Sequence, residues 1–140
     1  MKQVLFLYNP QSGKGKIEKD SQAIGEMFRQ AGYSIVDGPI DFSRNPFNGH
    51  ETVDLVVVAG GDGTVNEVAN GIAGYANAAM TCIPIGTGND FLKNFGADYE
   101  KFLDAENLWN GETQALDLID CSGRYCLTIA CSGIDARIAE

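Results

Sequence analysis

The sequence predicts an α/β fold in which helices cover both faces of an open, mainly parallel sheet, giving three αβα layers. Three observations predict it. Val4-Leu5-Phe6-Leu7-Tyr8 and Leu55-Val56-Val57-Val58-Ala59 are unbroken apolar runs, which suit strands buried on both faces. Each run stops at a polar, glycine-rich loop and gives way to sequence of helical period, the order expected of βαβ units. At 140 residues, 44% hydrophobic and 21% charged, the chain is long enough for one domain with its own core.

The first run leads into Asn9-Pro10-Gln11-Ser12-Gly13-Lys14-Gly15-Lys16, a loop of turn formers with hydroxyl and amide side chains. Lys14 and Lys16 sit where a cation attracts phosphate, although at least one of them reads as a solvated charge. Ile17, Ile24, Met27, Phe28 and Ala31 keep one face of a 3.6-residue period, and Gly32 follows as a stop, so this stretch is an amphipathic crossover helix. Ser34-Ile35-Val36-Asp37 is a short strand. Gly38 to Thr52 carries two prolines and two glycines without helical period and reads as a long irregular connection, where a βαβ unit would have a helix.

The second run, the central strand, ends in Gly60-Gly61-Asp62-Gly63-Thr64-Val65-Asn66-Glu67. Its glycines let the backbone turn sharply and bring N–H groups close to a ligand. A helix starting near Thr64 or Val65 adds unpaired N–H groups and the positive end of a dipole, which favour an anion such as phosphate. Asp62 is no phosphate ligand; a carboxylate there calls for Mg²⁺ or for a hydroxyl about to be phosphorylated. Together these features suggest a nucleotide-dependent kinase. Two named phosphate motifs do not fit. A Walker A loop would need glycine at Pro10 and Ser or Thr at Ile17, and the dinucleotide fingerprint meets Asn66 or Phe91 where its third glycine belongs.

Val65, Val68, Ala69, Ile72 and Ala73 form the apolar face of the helix, which ends near Gly74. Met80 to Ile85 is a further strand, meeting Gly86-Thr87-Gly88-Asn89-Asp90 before the helical Phe91 to Phe95. Three strands thus end in polar glycine loops, and in a parallel sheet such loops share the carboxyl edge, where one nucleotide can meet all three. A second helix is expected over Tyr99 to Trp109, with Phe102, Leu103, Ala105 and Leu108 serving the core. Thr113 to Asp120 and Tyr125 to Ala130 flank the turn residues Ser122-Gly123 as a β-hairpin. Ser132 to Glu140 opens like another glycine loop and helix.

The formal net charge of −9 and pI near 4.4 argue against nucleic acid as a partner and leave room only for local or transient membrane-surface contact. No stretch approaches the roughly 20 apolar residues of a membrane span, and Met1-Lys2-Gln3-Val4 opens no secretory leader; a cytoplasmic protein is expected. Cys82, Cys121, Cys126 and Cys131 form no CxxC pair and read as small apolar residues rather than metal ligands. His50 is the only histidine and has no second imidazole with which to bind metal.

Asn9-Pro10-x-Ser12-Gly13, Gly60-Gly61-Asp62-Gly63-Thr64-x-Asn66-Glu67 and Gly86-Thr87-Gly88-Asn89-Asp90-Phe91 resemble, in order and spacing, the diacylglycerol kinase catalytic domain, and more closely the soluble bacterial lipid kinases similar to diacylglycerol and sphingosine kinases. The resemblance implies a Rossmann-like, phosphofructokinase-like sheet and ATP held between the loops with Mg²⁺. Asn9, Pro10, Gln11, Ser12 and Gly13 would then lie around the phosphates with Gly60, Gly61, Asp62, Gly63, Thr64, Val65 and Asn66, and Thr87 near the nucleotide. The acceptor implied is a lipid alcohol such as diacylglycerol, with Asp62 as the catalytic candidate and the metal ligands unassigned. The family's second, β-rich domain, which completes the lipid site, has no counterpart in these residues, so residues 1–140 are expected to be the nucleotide-binding domain and inactive alone. Gly60 to Thr64 by itself also fits NAD kinases, which Asn9-Pro10 and Gly86 to Phe91 disfavour. A nucleotide-binding regulatory module without turnover is the alternative from another class.

Overall fold

Among the residues that the computed structural model describes (2–75, 77–85, 88–128 and 130), strands β1 (Gln3–Tyr8), β2 (Ser34–Pro39), β3 (Leu55–Gly60) and β4 (Ala79–Pro84) form one parallel sheet in the order β2-β1-β3-β4. In register, Leu5 lies between Val36 and Val56, and Val58 between Leu7 and Cys82. Strand period 2 sends alternate residues to opposite faces. Val4, Phe6, Tyr8, Val57 and Ala59 belong to one core, and Leu5, Leu7, Val56, Val58 and Cys82 to the other. Each Val, Leu or Phe side chain among them, taken fully from water, contributes about 1.5–3 kcal/mol, which is why the runs are apolar without alternation.

Helix α1 (Ile17–Gln30) covers the first face with Ile17 and Phe28. It ends at Gly32, whose φ of 89° only glycine adopts readily, while the Gly32 and Tyr33 N–H groups donate to the Arg29 and Phe28 carbonyls at 3.0 Å each, a Schellman closure. Helix α2 (Asp62–Ile72) covers the second face with Val65 and Val68. The link from β2 to β3 is irregular, as expected, yet it fills the helix layer: Ile40, Phe47 and Val53 are buried beside Val68. Asn45 fixes it, donating from Nδ2 to the Gly71 carbonyl at 3.1 Å and accepting the Phe47 N–H at 2.8 Å.

Three expectations need correction. Helix α2 begins at Asp62, not near Thr64, because extended Gly61 (φ −86°, ψ −176°) is its N-cap and the Val65 N–H already donates to the Gly61 carbonyl at 3.1 Å. The single helix expected over Tyr99 to Trp109 is two 3₁₀ segments, Gly96–Leu103 and Ala105–Leu108. They break at extended Asp104, whose carboxylate caps the second by accepting the Glu106 N–H. The break lets the chain round the sheet edge: Phe102 packs on the α2 face with Phe95, while Leu108 and Trp109 pack on the α1 face, Trp109 at 4.9 Å from Phe28. Lastly, among the described residues the hairpin pairs only β5 (Ile119–Asp120) with β6 (Tyr125–Cys126), around Ser122 and Gly123 at φ 56° and 89°, the double left-handed turn that suits two-residue hairpins. The tail expected from Ser132 onward lies outside the described residues. A short helix, α3 (Asp90–Lys93), follows the third loop.

Candidate functional site

Helix α1 returns from β1 on one face and α2 leaves β3 on the other, so the winding reverses between neighbouring β1 and β3. A doubly wound sheet opens a crevice at that point, beyond its carboxyl edge. A cleft of ≈ 560 Å³ lies there, and Asn9, Ser12, Gly13, Gly61, Gly63 and Thr64 line it. Two loops far apart in sequence meet directly: the Asn9 amide Nδ2 donates to Thr64 Oγ1 at 3.2 Å. Asn9 also accepts the Gln11 N–H at 3.0 Å through Oδ1, and its own N–H donates to the Ala59 carbonyl at 3.1 Å. Thr64 is buried because it lies over Gly60, where a Cβ would come within 2.7 Å of it.

The first loop holds consecutive left-handed residues, Gly13 (φ 62°), Lys14 (58°) and Gly15 (79°). Such a conformation strains a lysine by roughly 1–3 kcal/mol, and at Gly13 a Cβ would also strike Ile85 Cγ2 at 2.8 Å. Helix geometry leaves the Asp62, Gly63 and Thr64 N–H groups without an intrahelical acceptor. Space lies open beside them: a Cβ at Gly63 would meet nothing within 4 Å, and one at Gly61 only the Ile85 carbonyl at 3.6 Å. Gly61 has a negative φ, so open space rather than a left-handed backbone distinguishes this position.

Asp62 stands where the second and third loops join. Its Oδ1 accepts the Phe91 N–H at 3.0 Å, and its Oδ2 would lie 2.8 Å from a Cβ at Gly88. Beyond Gly88 a second cleft of ≈ 660 Å³ runs past Asn89, Lys93, Tyr99 and Glu100. The paired Asp90 carboxylate, at 2.5 Å, raises the Lys93 ammonium, and Asp62 adds a smaller push in the same direction. Burial, and behind it the charge of Asp62, pushes the Cys82 thiol up to about 12.

The expected residues are thus brought together in part. Pro10 and Gln11 face solvent, Gly60 and Val65 lie beneath the cleft, and Thr87 is outside the described residues. Asn66 is turned to the hairpin, its Oδ1 accepting the Leu127 N–H at 3.1 Å. Sequence reasoning missed Phe42, Glu67 and Ile85, which also line the first cleft. Phe42 is 53% exposed although apolar, and an aromatic residue in an irregular stretch after a strand was its only signal. Among the described residues no group of three or more His, Cys, Asp or Glu could hold a metal, and none of the helices is long and apolar enough to cross a membrane.

The fold and cleft define a doubly wound α/β unit whose cleft lies at its switch point. A family model of the diacylglycerol kinase catalytic domain matches residues 3–121, and the chain belongs to that family. It is 34% identical over 140 residues to a diacylglycerol kinase of Bacillus subtilis (strain 168), covering 95% of this chain and 46% of that protein. To one of Staphylococcus aureus (strain bovine RF122 / ET3-1) it is 30% identical over 141 residues, covering 94% and 44%. A crystal structure of a diacylglycerol kinase from Bacillus anthracis str. Sterne superposes with a TM-score of 0.70 at 26% identity, covering 89% of this chain and 45% of the other. The chain spans less than half the length of these relatives.

Proposed function

We propose that this chain is the nucleotide-binding unit of an ATP-dependent lipid kinase that transfers the γ-phosphoryl group to the hydroxyl of a lipid alcohol such as diacylglycerol. The observation that carries the reading is the meeting of Asn9, Thr64 and the N-terminus of α2 in one cleft, with Asp62 against Gly88, which lines a second. The free N–H groups of the α2 N-terminus and the open space at Gly61 and Gly63 fit a phosphate chain. Mg²⁺ held mainly by phosphates and water needs few protein ligands, so the Asp62 carboxylate suffices to orient its waters.

ATP supplies the phosphoryl group and Mg²⁺ offsets its charge; the chain's own residues position and polarise. The α2 N–H groups and Thr64 Oγ1 hold phosphate oxygens. Phe42 offers an exposed ring for a nucleotide base. Asp62, reached from the second cleft past Gly88, orients the acceptor hydroxyl and takes its proton. The proposal places the lipid's hydrocarbon chains on a further β-rich domain, leaving nucleotide binding to residues 1–140.

Calorimetric titration with Mg·ATP tests it. A dissociation constant on the order of 0.1–1 mM is expected, with chemical-shift changes at Gly13, Gly61 and Gly88. Absence of binding would overturn the reading, and ATP-dependent phosphorylation of NAD in place of diacylglycerol by the full-length enzyme would overturn the acceptor.

A further inference from the structure

Resting on the nucleotide reading of the first cleft, we propose that Arg124 is a phosphate-binding residue, delivered to the cleft by the β5–β6 hairpin and held on Glu67 until a polyphosphate displaces it. The charged side chain among the described residues lining that cleft is Glu67, and a carboxylate there opposes an approaching polyphosphate. Arg124 answers it, its guanidinium Nη2 donating to Glu67 Oε1. No glycine-rich loop contains this arginine.

The main chain around Arg124 is fixed by α2. Asn70 pairs with Tyr125 as a neighbouring strand would, accepting its N–H through Oδ1 and donating from Nδ2 to its carbonyl, each at 2.8 Å. Asn66 accepts the Leu127 N–H at 3.1 Å, and on the turn side the Cys121 N–H donates to the Arg124 carbonyl at 2.8 Å. The Arg124 side chain is nonetheless 60% exposed and has one carboxylate partner among the described residues. A guanidinium on an anchored backbone, beside the helix whose N-terminus opens the cleft, is free to turn from Glu67 to phosphate oxygens, which match its planar fork.

Two roles must be separated: Arg124 touching phosphate, and Arg124 merely neutralising Glu67. Calorimetric titration with Mg·ATP of the unaltered chain, Arg124→Gln, Glu67→Gln and the double variant does so. We expect Arg124→Gln to raise the ATP dissociation constant about tenfold, Glu67→Gln to lower it, and the double variant to bind more tightly than Arg124→Gln but clearly more weakly than Glu67→Gln. Arg124→Lys, which keeps the ion pair and the docked hairpin, should still weaken ATP severalfold through loss of the fork. A double variant that binds as well as Glu67→Gln would overturn the proposal, leaving only neutralisation. Equal affinities for the unaltered chain, Arg124→Gln and Arg124→Lys would overturn it while sparing the nucleotide reading. Failure of the unaltered chain to bind ATP would overturn both.

Discussion

The Asp62 carboxylate accepts the Phe91 N–H at 3.0 Å, so the acidic residue of the second glycine loop is also the clasp that holds the third. Asp62→Ala leaves a part-buried N–H without its acceptor and should cost about 1–3 kcal/mol in denaturant unfolding. Asp62→Asn keeps an acceptor oxygen and should cost less than half of that. In the full-length enzyme both should lower transfer of labelled phosphate from ATP to diacylglycerol by at least about a hundredfold, since neither can take the acceptor's proton. Loss of turnover only in the alanine variant would mark Asp62 as a clasp alone.

At Gly61 a side chain would point into open space, touching only the Ile85 carbonyl at 3.6 Å, on a backbone of negative φ. Gly61→Val should therefore unfold within about 1 kcal/mol of the parent, yet lose measurable ATP binding, because its methyl groups fill the room a phosphate needs. Calorimetry beside a denaturant titration reads both quantities.

Phe42 leaves half of its surface in water at the wall of the cleft. A base stacked on an aromatic ring gains about 1–3 kcal/mol, so Phe42→Ala should weaken ATP by roughly tenfold or more and leave thermal stability almost unchanged. An unaltered ATP dissociation constant would place the base elsewhere.

Cys82 gives a pH prediction whose sign follows from its environment. Burial, with Asp62 adding, moves the thiol from the ordinary 9.0 to about 12, so between these values the unfolded chain loses a proton that the folded one keeps. Its contribution is intact below pH 9 and is lost as pH rises, at up to about 1.4 kcal/mol per pH unit. The stability-against-pH slope of Cys82→Ala above pH 9 should be shallower than the parent's. At neutral pH, iodoacetamide should label exposed Cys121 and leave buried Cys82 unmodified.

What the sequence made legible was local. The runs at Val4 and Leu55 were strands because unbroken apolar stretches have few other uses, and Gly32 stopped α1 because its position demands a left-handed backbone. The start of α2 was misread by two residues, since Gly61 caps the helix with no side chain to announce it. The break at Asp104 has a local mark in its side-chain cap on the Glu106 N–H, but its reason is tertiary: Phe102 and Trp109 fit one helical face yet serve opposite faces of the sheet. Least visible was the contact of Asn66 and Asn70 with Leu127 and Tyr125, because 61 and 55 residues separate the partners. The two asparagines gave no hint that their amides would pair with a strand.

An open sheet leaves two edges where a foreign strand could add, and among the described residues each edge strand ends in proline. Ile40 turns its N–H inward to the Tyr8 carbonyl, and Ile85 turns its own to that of Gly60. Alternation along the strand therefore aims the preceding positions, Pro39 in β2 and Pro84 in β4, at the free edges, where proline has no donor to offer. Half-exposed Val36 would otherwise make β2 a template for aggregation. Both blocks lie at the carboxyl end of the sheet, beside the cleft, so the protection against self-association is strongest where the glycine loops open.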